Sequence, residues 1–454
     1  MVYSDSSLMN TAIFGSILYK NLHWNVQREF KKMYSEYEQY KKKIENLSIT
    51  NISYETKIND MNVPDNIKDK ALEKLKEINS SKDGSTTTKA VKYLDGLLKI
   101  PFGVFKEEEM ITFLDTFKYK LTNFINTKLI NNITDHHKFN TEFNNKNELN
   151  NHIILNTASD ITIFFNNNAD NPLLKLYLIE WNKYNIEKVT YIKYVRDTLN
   201  KCVYGHDTVK LQLERIFAQW INGKNEGVIL GLHGPPGIGK TCIVKHGLSQ
   251  CLKDENGNSR PFAFIPLGGA TNGSYLDGHG YTYVGSAWGR IIDILMETKC
   301  MNPIILIDEL DKVSKTEHGR EIISILTHLT DLTQNDTYND KYYTGIKFDL
   351  SKCLIIFTYN DISLIDRILL DRITTVEMKA LSKPDKLVIT TKYLLPEILK
   401  TIGYNKNDII FNENVIEYII DSYTYEAGVR KLKEQLFEII REINLNRMFD
   451  NTIE

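Results

Sequence analysis

"VILGLHGPPGIGKT", residues 228 to 241, decides the fold. A short apolar run, "VILGLHG" (228–234), ends in a glycine-rich turn, and "KTCIVKHGLSQCL" then reads as a helix. Within it, "GPPGIGKT" (234–241) meets GxxxxGK[ST] at every fixed position. Strand before and helix after are the setting in which backbone N–H groups and a helix N-terminus form an anion cradle. Gly234, Pro235, Pro236, Gly237, Ile238 and Gly239 make the loop, and Gly237 and Gly239 let its backbone approach phosphate. Lys240 is expected at the β- and γ-phosphates, and the Thr241 hydroxyl on Mg²⁺. The bland alternative is a chance glycine turn, and the strand–loop–helix setting weighs heavily against it.

Further strands follow the same texture: "PFAFIPL" (261–267), "PIILID" (303–308), "CLIIFTY" (353–359) and "TTVEM" (374–378) alternate with helical stretches. Alternation of this kind implies an α/β domain on a parallel sheet, placed at 196–380. After it the chain reads all-helical, giving a small helical domain at 381–454.

The strand "PIILIDELDK" (303–312) delivers Asp308 and Glu309 at its carboxyl end, where open α/β sheets bind ligands. Asp308 is expected to hold Mg²⁺ through water, and Glu309 to act as general base on the attacking water. Two acids capping the next helix are the plain alternative. "LIIFTYND" (354–361) places Asn360 at another strand end, positioned to orient that water. "ILLDRI" (368–373) carries Arg372, expected to reach a neighbouring subunit's nucleotide, with Arg367 as competitor. "EAGVRKL" (426–432) puts Arg430 at the start of the last helix, facing the same nucleotide. Singly, each of these three is more often a surface or capping residue; in this order after a phosphate loop they form a set.

The rest of the chain is less specific. Its 454 residues exceed one compact domain, and 42% hydrophobic with 25% charged residues is ordinary for a globular protein. A net charge of -2 gives no basic footprint for nucleic acid. The five cysteines form no CxxC pair, which fits a reducing, cytoplasmic compartment without disulfides or structural zinc. No apolar run is long enough for a membrane span. "LMNTAIFGSILY" (8–19) lacks the charged flank of a signal segment and reads as a packing helix. Val26, Phe30, Met33, Tyr37, Tyr40, Ile44 and Leu47 follow 4,3 spacing, the seam of a coiled coil or of one long helix. "VPDNIKDKALEKLKEI" (63–78) and "VKYLDGLLKIPFG" (91–103) read as helices, completing a helical region at 1–104. Residues 105–195 are Asn-rich and are expected to be an insertion or linker, irregular between helical pieces such as 107–125. His136 and His137 there have no partner at ligand spacing and read as loop histidines.

Together these motifs resemble an AAA+ ATPase, and specifically the ATPase module of Lon proteases. "YGHDTVKLQLERI" (204–216) resembles the segment before that family's phosphate loop, and implies an adenine-side position for Tyr204 and Gly205. "PLGGATNGSYLDGHGYTYVGSAWGRII" (266–292) resembles its second strand and pore loop. "NPIILIDELDKVS", "LLDRI" and "EAGVRKL" follow in family order, so that the likeness covers roughly 20–104 and 196–450. It implies ATP and Mg²⁺ as cofactors and a hexameric ring that threads unfolded or tagged protein. Tyr283 and Val284 would grip polypeptide in the first channel loop, and Tyr338 in a second at 335–343. Trp288 is expected instead to begin a helix and face the core. No serine–lysine protease motif is found, so the reading is an unfoldase whose peptidase, if any, lies on another chain. A nucleic-acid motor and a nucleotide-regulated assembly protein are the competing functions.

Overall fold

A computed structural model describes residues 53–80, 84–132, 157–168, 171–223, 227–254, 257–270, 272–283, 285–405 and 408–449. The heptad seam at 26–47, His136, His137 and Val284 lie outside the described residues. The chain divides into two compact units, the second beginning at Lys99.

In the first unit, helices Tyr54–Asn59, Asp65–Ser80 and Gly84–Leu97 bury Ile58, Ile67, Ala71, Leu75, Leu94 and Leu97. Ile67, Ala71 and Leu75 recur at fourfold spacing, so one stripe of the second helix turns inward. The helix starts directly after Pro64, whose missing N–H costs nothing at that position.

In the second unit, β1 (Val228–His233), β2 (Phe262–Pro266), β3 (Ile304–Asp308), β6 (Leu354–Tyr359) and β7 (Thr374–Glu377) form one parallel sheet, ordered β2-β3-β6-β1-β7. All five strands fall where the sequence places them. Ile304, Ile305, Leu306 and Ile307 are wholly buried, the signature of a strand covered on both faces. Alternate residues Leu230, Leu232, Ile304, Leu306, Leu354 and Ile356 share one core with Leu199, Phe217 and Trp220 of the covering helices. Each such side chain contributes about 1.5–3 kcal/mol on burial. Between β3 and β6 stands a short antiparallel pair, β4 (Tyr338–Asn339) with β5 (Lys347–Phe348).

Within the Asn-rich stretch residues 133–156 lie outside the described residues, and the helix expected at 107–125 is present as Glu109–Asn132. Helices Glu109–Asn132, Ala158–Asn167 and Lys175–Cys202 pack around Leu114, Phe117, Phe165, Trp181 and Tyr184. The last has no Gly or Pro over 28 residues, so nothing breaks it. Phe113 stacks on Tyr184 with centroids 4.2 Å apart, and the Tyr184 hydroxyl donates to the Ile221 carbonyl at 2.7 Å. Polar residues here still do what polar residues favour: Thr157 and Asp160 make a reciprocal capping box.

Residues 383–449 fold into helices Lys383–Ile389, Leu395–Ile402, Glu413–Ile419 and Arg430–Phe449 around Ile398, Ile416, Leu432 and Leu436. The sequence shows why the first begins at Lys383: Ser382 and Asp385 form a capping box and Pro384 sits in its first turn.

Candidate functional site: a nucleotide cavity at the strand ends

Parallel register aligns the carboxyl ends of β1, β3 and β6, pairing Ile307 with Phe357 and His233 with Tyr359. The loops leaving these ends therefore meet. They enclose a cavity of about 410 Å³ whose wall includes Lys240, Thr241, Asp308, Glu309, Asn360 and Arg430. The structure thus brings together six of the residues singled out from sequence, together with Pro236, Gly237 and Gly239 of the loop. Gly234, Pro235 and Ile238 complete the same turn.

The Lys240 ammonium donates to Asn360 Oδ1 at 2.7 Å and to the Pro235 carbonyl at 3.2 Å. Burial pulls its pKa down from the usual lysine value, and the charges of Asp308 and Asp311 oppose that shift. Asp308 Oδ1 accepts from the hydroxyl of Thr358, a wholly buried residue, and from the Glu309 N–H at 3.0 Å. Its carboxylate is thereby held at the strand end. Thr358 was missed in the sequence, although a polar residue in the apolar run "LIIFTYN" is the visible signal.

Glu309 adopts φ 60 and ψ 44, a left-handed conformation uncommon outside glycine. Such outliers gather at functional sites. Its carboxylate lies over Gly268, where an added Cβ would stand 2.0 Å from Oε2. Gly268, just beyond β2, is therefore a glycine because the acid occupies that space.

The helical domain closes the cavity. The Val429 N–H donates to the Gly237 carbonyl at 3.0 Å, and a Cβ on Gly428 would meet the Gly237 carbonyl carbon at 2.3 Å. Lys386, buried, donates to the Glu426 carbonyl, and Glu426 Oε1 caps the Leu432 N–H at 2.9 Å. This seam sets Arg430 beside the phosphate loop. Gly428→Ala is expected to unseat it: nucleotide affinity should fall about tenfold or more, as displaced positioning groups do, while far-UV circular dichroism stays unchanged. Titration with a fluorescent ATP analogue measures this.

The cavity fits a nucleoside triphosphate with its cation. Its volume lies in the range of small-molecule pockets. Lys240, Arg430 and Lys433 present positive charge while Asp308 and Glu309 present the carboxylates a divalent cation requires.

Comparison with known proteins agrees with this geometry. Residues 230–381 match the ATPase family associated with various cellular activities (AAA), and residues 400–452 match the Lon protease AAA+ ATPase lid domain. Residues 230–452 form a Lon-like AAA+ ATPase module. The chain is similar to "Lon protease homolog" of Acanthamoeba polyphaga mimivirus, 30% identical over 95% of this chain and 35% of that protein. It is 35% identical to "Lon protease" of Campylobacter concisus over 57% of this chain and 32% of the relative. It is also 36% identical to "Lon protease homolog, mitochondrial" of Drosophila melanogaster over 54% of this chain and 23% of the relative. The chain spans about a third of the length of the curated relatives it first matches.

Other expected residues of this Lon-like module stand apart from the cavity wall. Arg372 is exposed; its guanidinium donates to the Thr327 carbonyl at 2.7 Å and pairs with Asp331 at 3.0 Å. Arg367 is exposed in the short helix Arg367–Leu370. Tyr204 packs against the core of the helical domain, and Gly205 takes a left-handed φ of 68. His206, also missed from sequence, joins this turn to the loop: its Nε2 lies 3.0 Å from the Ile238 carbonyl. Burial lowers the His206 pKa, with the Ile238 hydrogen bond opposing.

The expectation that Tyr338 contacts the channel needs correcting. Tyr338 is buried at 7% exposure, and its hydroxyl donates to the Leu276 carbonyl at 3.3 Å. Residues 335–343 thus alternate buried Asn335, Tyr338, Asp340, Tyr342 and Tyr343 with exposed Asp336, Asn339 and Lys341. Among them, Asp340 accepts from the N–H groups of Gly289 at 2.8 Å and Tyr342 at 2.9 Å. Burial pushes the Asp340 carboxyl up to about 7 against the pull of those donors. Trp288 precedes its helix, which begins at Arg290, and is half-buried, stacked on Tyr343 with centroids 6.2 Å apart. Tyr283, in contrast, is 70% exposed on the segment between β2 and β3. Among the described residues, no helix is long and apolar enough to cross a membrane.

Proposed function

We propose that this chain is an ATP-hydrolysing protein remodeller, assembled as a hexameric ring in a cytoplasmic, reducing compartment. It would draw unfolded or tagged polypeptide through the ring's channel. The observation that carries the reading is Tyr283, a large aromatic 70% exposed between Gly280 and Gly285 on the segment between β2 and β3. An exposed aromatic presses on any extended chain without reading its sequence. Val284 is assigned the same task beside it.

In this reading Lys240 and Arg430 bind the phosphates, and Tyr204 and Gly205 lie on the adenine side. Thr241 and Asp308 would hold Mg²⁺, which when bound neutralises phosphate charge. Glu309 takes a proton from the attacking water while Asn360 orients it. Arg372, with Arg367 as the other candidate, would act on the nucleotide of a neighbouring subunit. The likeness to proteins named as Lon proteases favours a second form of the same reading, in which the motor serves proteolysis. The peptidase would then be supplied separately from residues 53–449.

A labelled unfolded protein tests both forms in one tube. ATPase activity should rise with protein and not with DNA, and DNA stimulation alone would replace this reading with a nucleic-acid motor. Cleavage by the purified chain would place a peptidase within it. Tyr283→Ala should keep basal ATPase activity and lose the protein-stimulated increment. Loss of the folded state in thermal unfolding would instead assign Tyr283 to structure.

A further inference from the structure

Cys202 ends the helix Lys175–Cys202, and Cys242 stands in the first helical turn after the phosphate loop. Their Sγ atoms are 3.7 Å apart, and the Cys202 thiol also donates to the Cys242 carbonyl at 3.3 Å. These two are half-buried, whereas Cys251, Cys300 and Cys353 are buried. Cys242 lines the nucleotide cavity, so small solutes reach it there.

The surroundings leave room for the sulfurs to meet. Gly247 faces the pair: a Cβ placed on it would lie 3.6 Å from Cys202 Sγ. From Ile243 to Leu248 the helix is π-helical, a local widening that tolerates adjustment and is frequent at functional sites. Beyond Cys202 the chain turns extended at Val203.

We propose that Cys202 and Cys242 form a reversible disulfide that disables the phosphate loop. The consequence rests on the nucleotide-site reading above; the pairing itself does not. The oxidant is a low-molecular-weight disulfide of the glutathione type. The Cys242 sulfur attacks one of its sulfurs as a thiolate, forming a mixed disulfide and expelling one small thiolate, which takes up the Cys242 proton. The Cys202 sulfur then attacks Cys242 Sγ and expels the second small thiolate, which takes up the Cys202 proton. Two electrons pass from the protein sulfurs to the small disulfide, leaving one protein disulfide and two small thiols.

Closing the pair to the bonded S–S length of about 2.05 Å moves the sulfurs together by about 1.6 Å. Val203, next in the chain after Cys202, is buried in the core that covers the sheet, which holds that side in place. The movement therefore falls on the start of the loop helix, with Thr241 and Lys240 adjoining. Misplacement of that order costs about 100-fold in turnover. Bound nucleotide would cover Cys242 and slow the oxidation.

Oxidised glutathione, added to the full chain with and without ATP, tests this by peptide mapping under non-reducing conditions. A Cys202–Cys242 link is expected, formed more slowly with ATP. ATPase activity should fall about 100-fold, by the same loop displacement, and return on adding a dithiol. Cys202→Ala should keep the reduced-state ATPase rate and yield no internal link. The proposal is overturned if both thiols stay unlinked in the oxidant, or if the linked chain binds and hydrolyses ATP as before. A chain that forms the link yet binds no nucleotide even when reduced would sink the ATPase reading and leave the pairing standing.

Discussion

Glu309→Gln should keep ATP on the protein and stop its hydrolysis. The amide has the size of the carboxylate, so it still fits over Gly268, where any larger residue at position 268 would collide with it. Glutamine also meets the same left-handed backbone requirement as glutamate, so the turn after β3 has no new reason to change. What is lost is the basic oxygen. A positioned general base contributes about 10²–10⁴-fold to a rate, and the expected fall in turnover lies in that range. Binding should persist because Lys240 and the loop N–H groups hold the phosphates. Lys240→Ala gives the opposite pattern, removing the ammonium that now bridges Asn360 and Pro235 and with it nucleotide affinity. Steady-state ATPase assays paired with titration of a fluorescent ATP analogue separate the two. Equal, residual activity in wild type and Glu309→Gln would remove the motor reading altogether and favour a nucleotide-regulated assembly protein.

The cavity was legible because its residues are fixed by chain-local chemistry. A phosphate loop needs its glycines and lysine consecutively, and an acid at a strand end follows directly from an apolar run. All five sheet strands announced themselves as short runs of aliphatic, β-branched and aromatic residues. What sequence concealed depends on distant chain. Thr358 matters only because β6 lies beside β3 and so faces Asp308. Gly428 is demanding only because the helical domain folds back onto Gly237. Tyr338 reads as an exposed loop aromatic until Leu276, 62 residues earlier, supplies a buried acceptor. The helices flanking the Asn-rich segment depend on distant chain as well: Phe117, Trp181 and Tyr184 pack across them.

The same long-range dependence predicts the largest loss of stability. Glu108 and Arg260 are 152 positions apart and each 2% exposed. Arg260 Nε donates to Glu108 Oε1 at 2.8 Å, its Nη2 bonds the other oxygen, and the guanidinium lies 5.9 Å from the Trp220 ring. The pair ties the start of helix Glu109–Asn132 to the residues entering β2, next to Asn302, which clamps the Lys106 backbone at 2.7 and 2.8 Å. Burying two charges costs nearly what their attraction returns, so the pair adds little net stability. Breaking it is different. Glu108→Ala leaves a guanidinium buried without its carboxylate and should cost about 3–5 kcal/mol. Replacing both residues, as Glu108→Leu with Arg260→Met, removes the stranded charge and should recover most of that loss. Urea unfolding followed at the tryptophans reads the difference. If the double variant is no more stable than Glu108→Ala, the pair stabilises by attraction outright, and the penalty does not come from the orphaned charge.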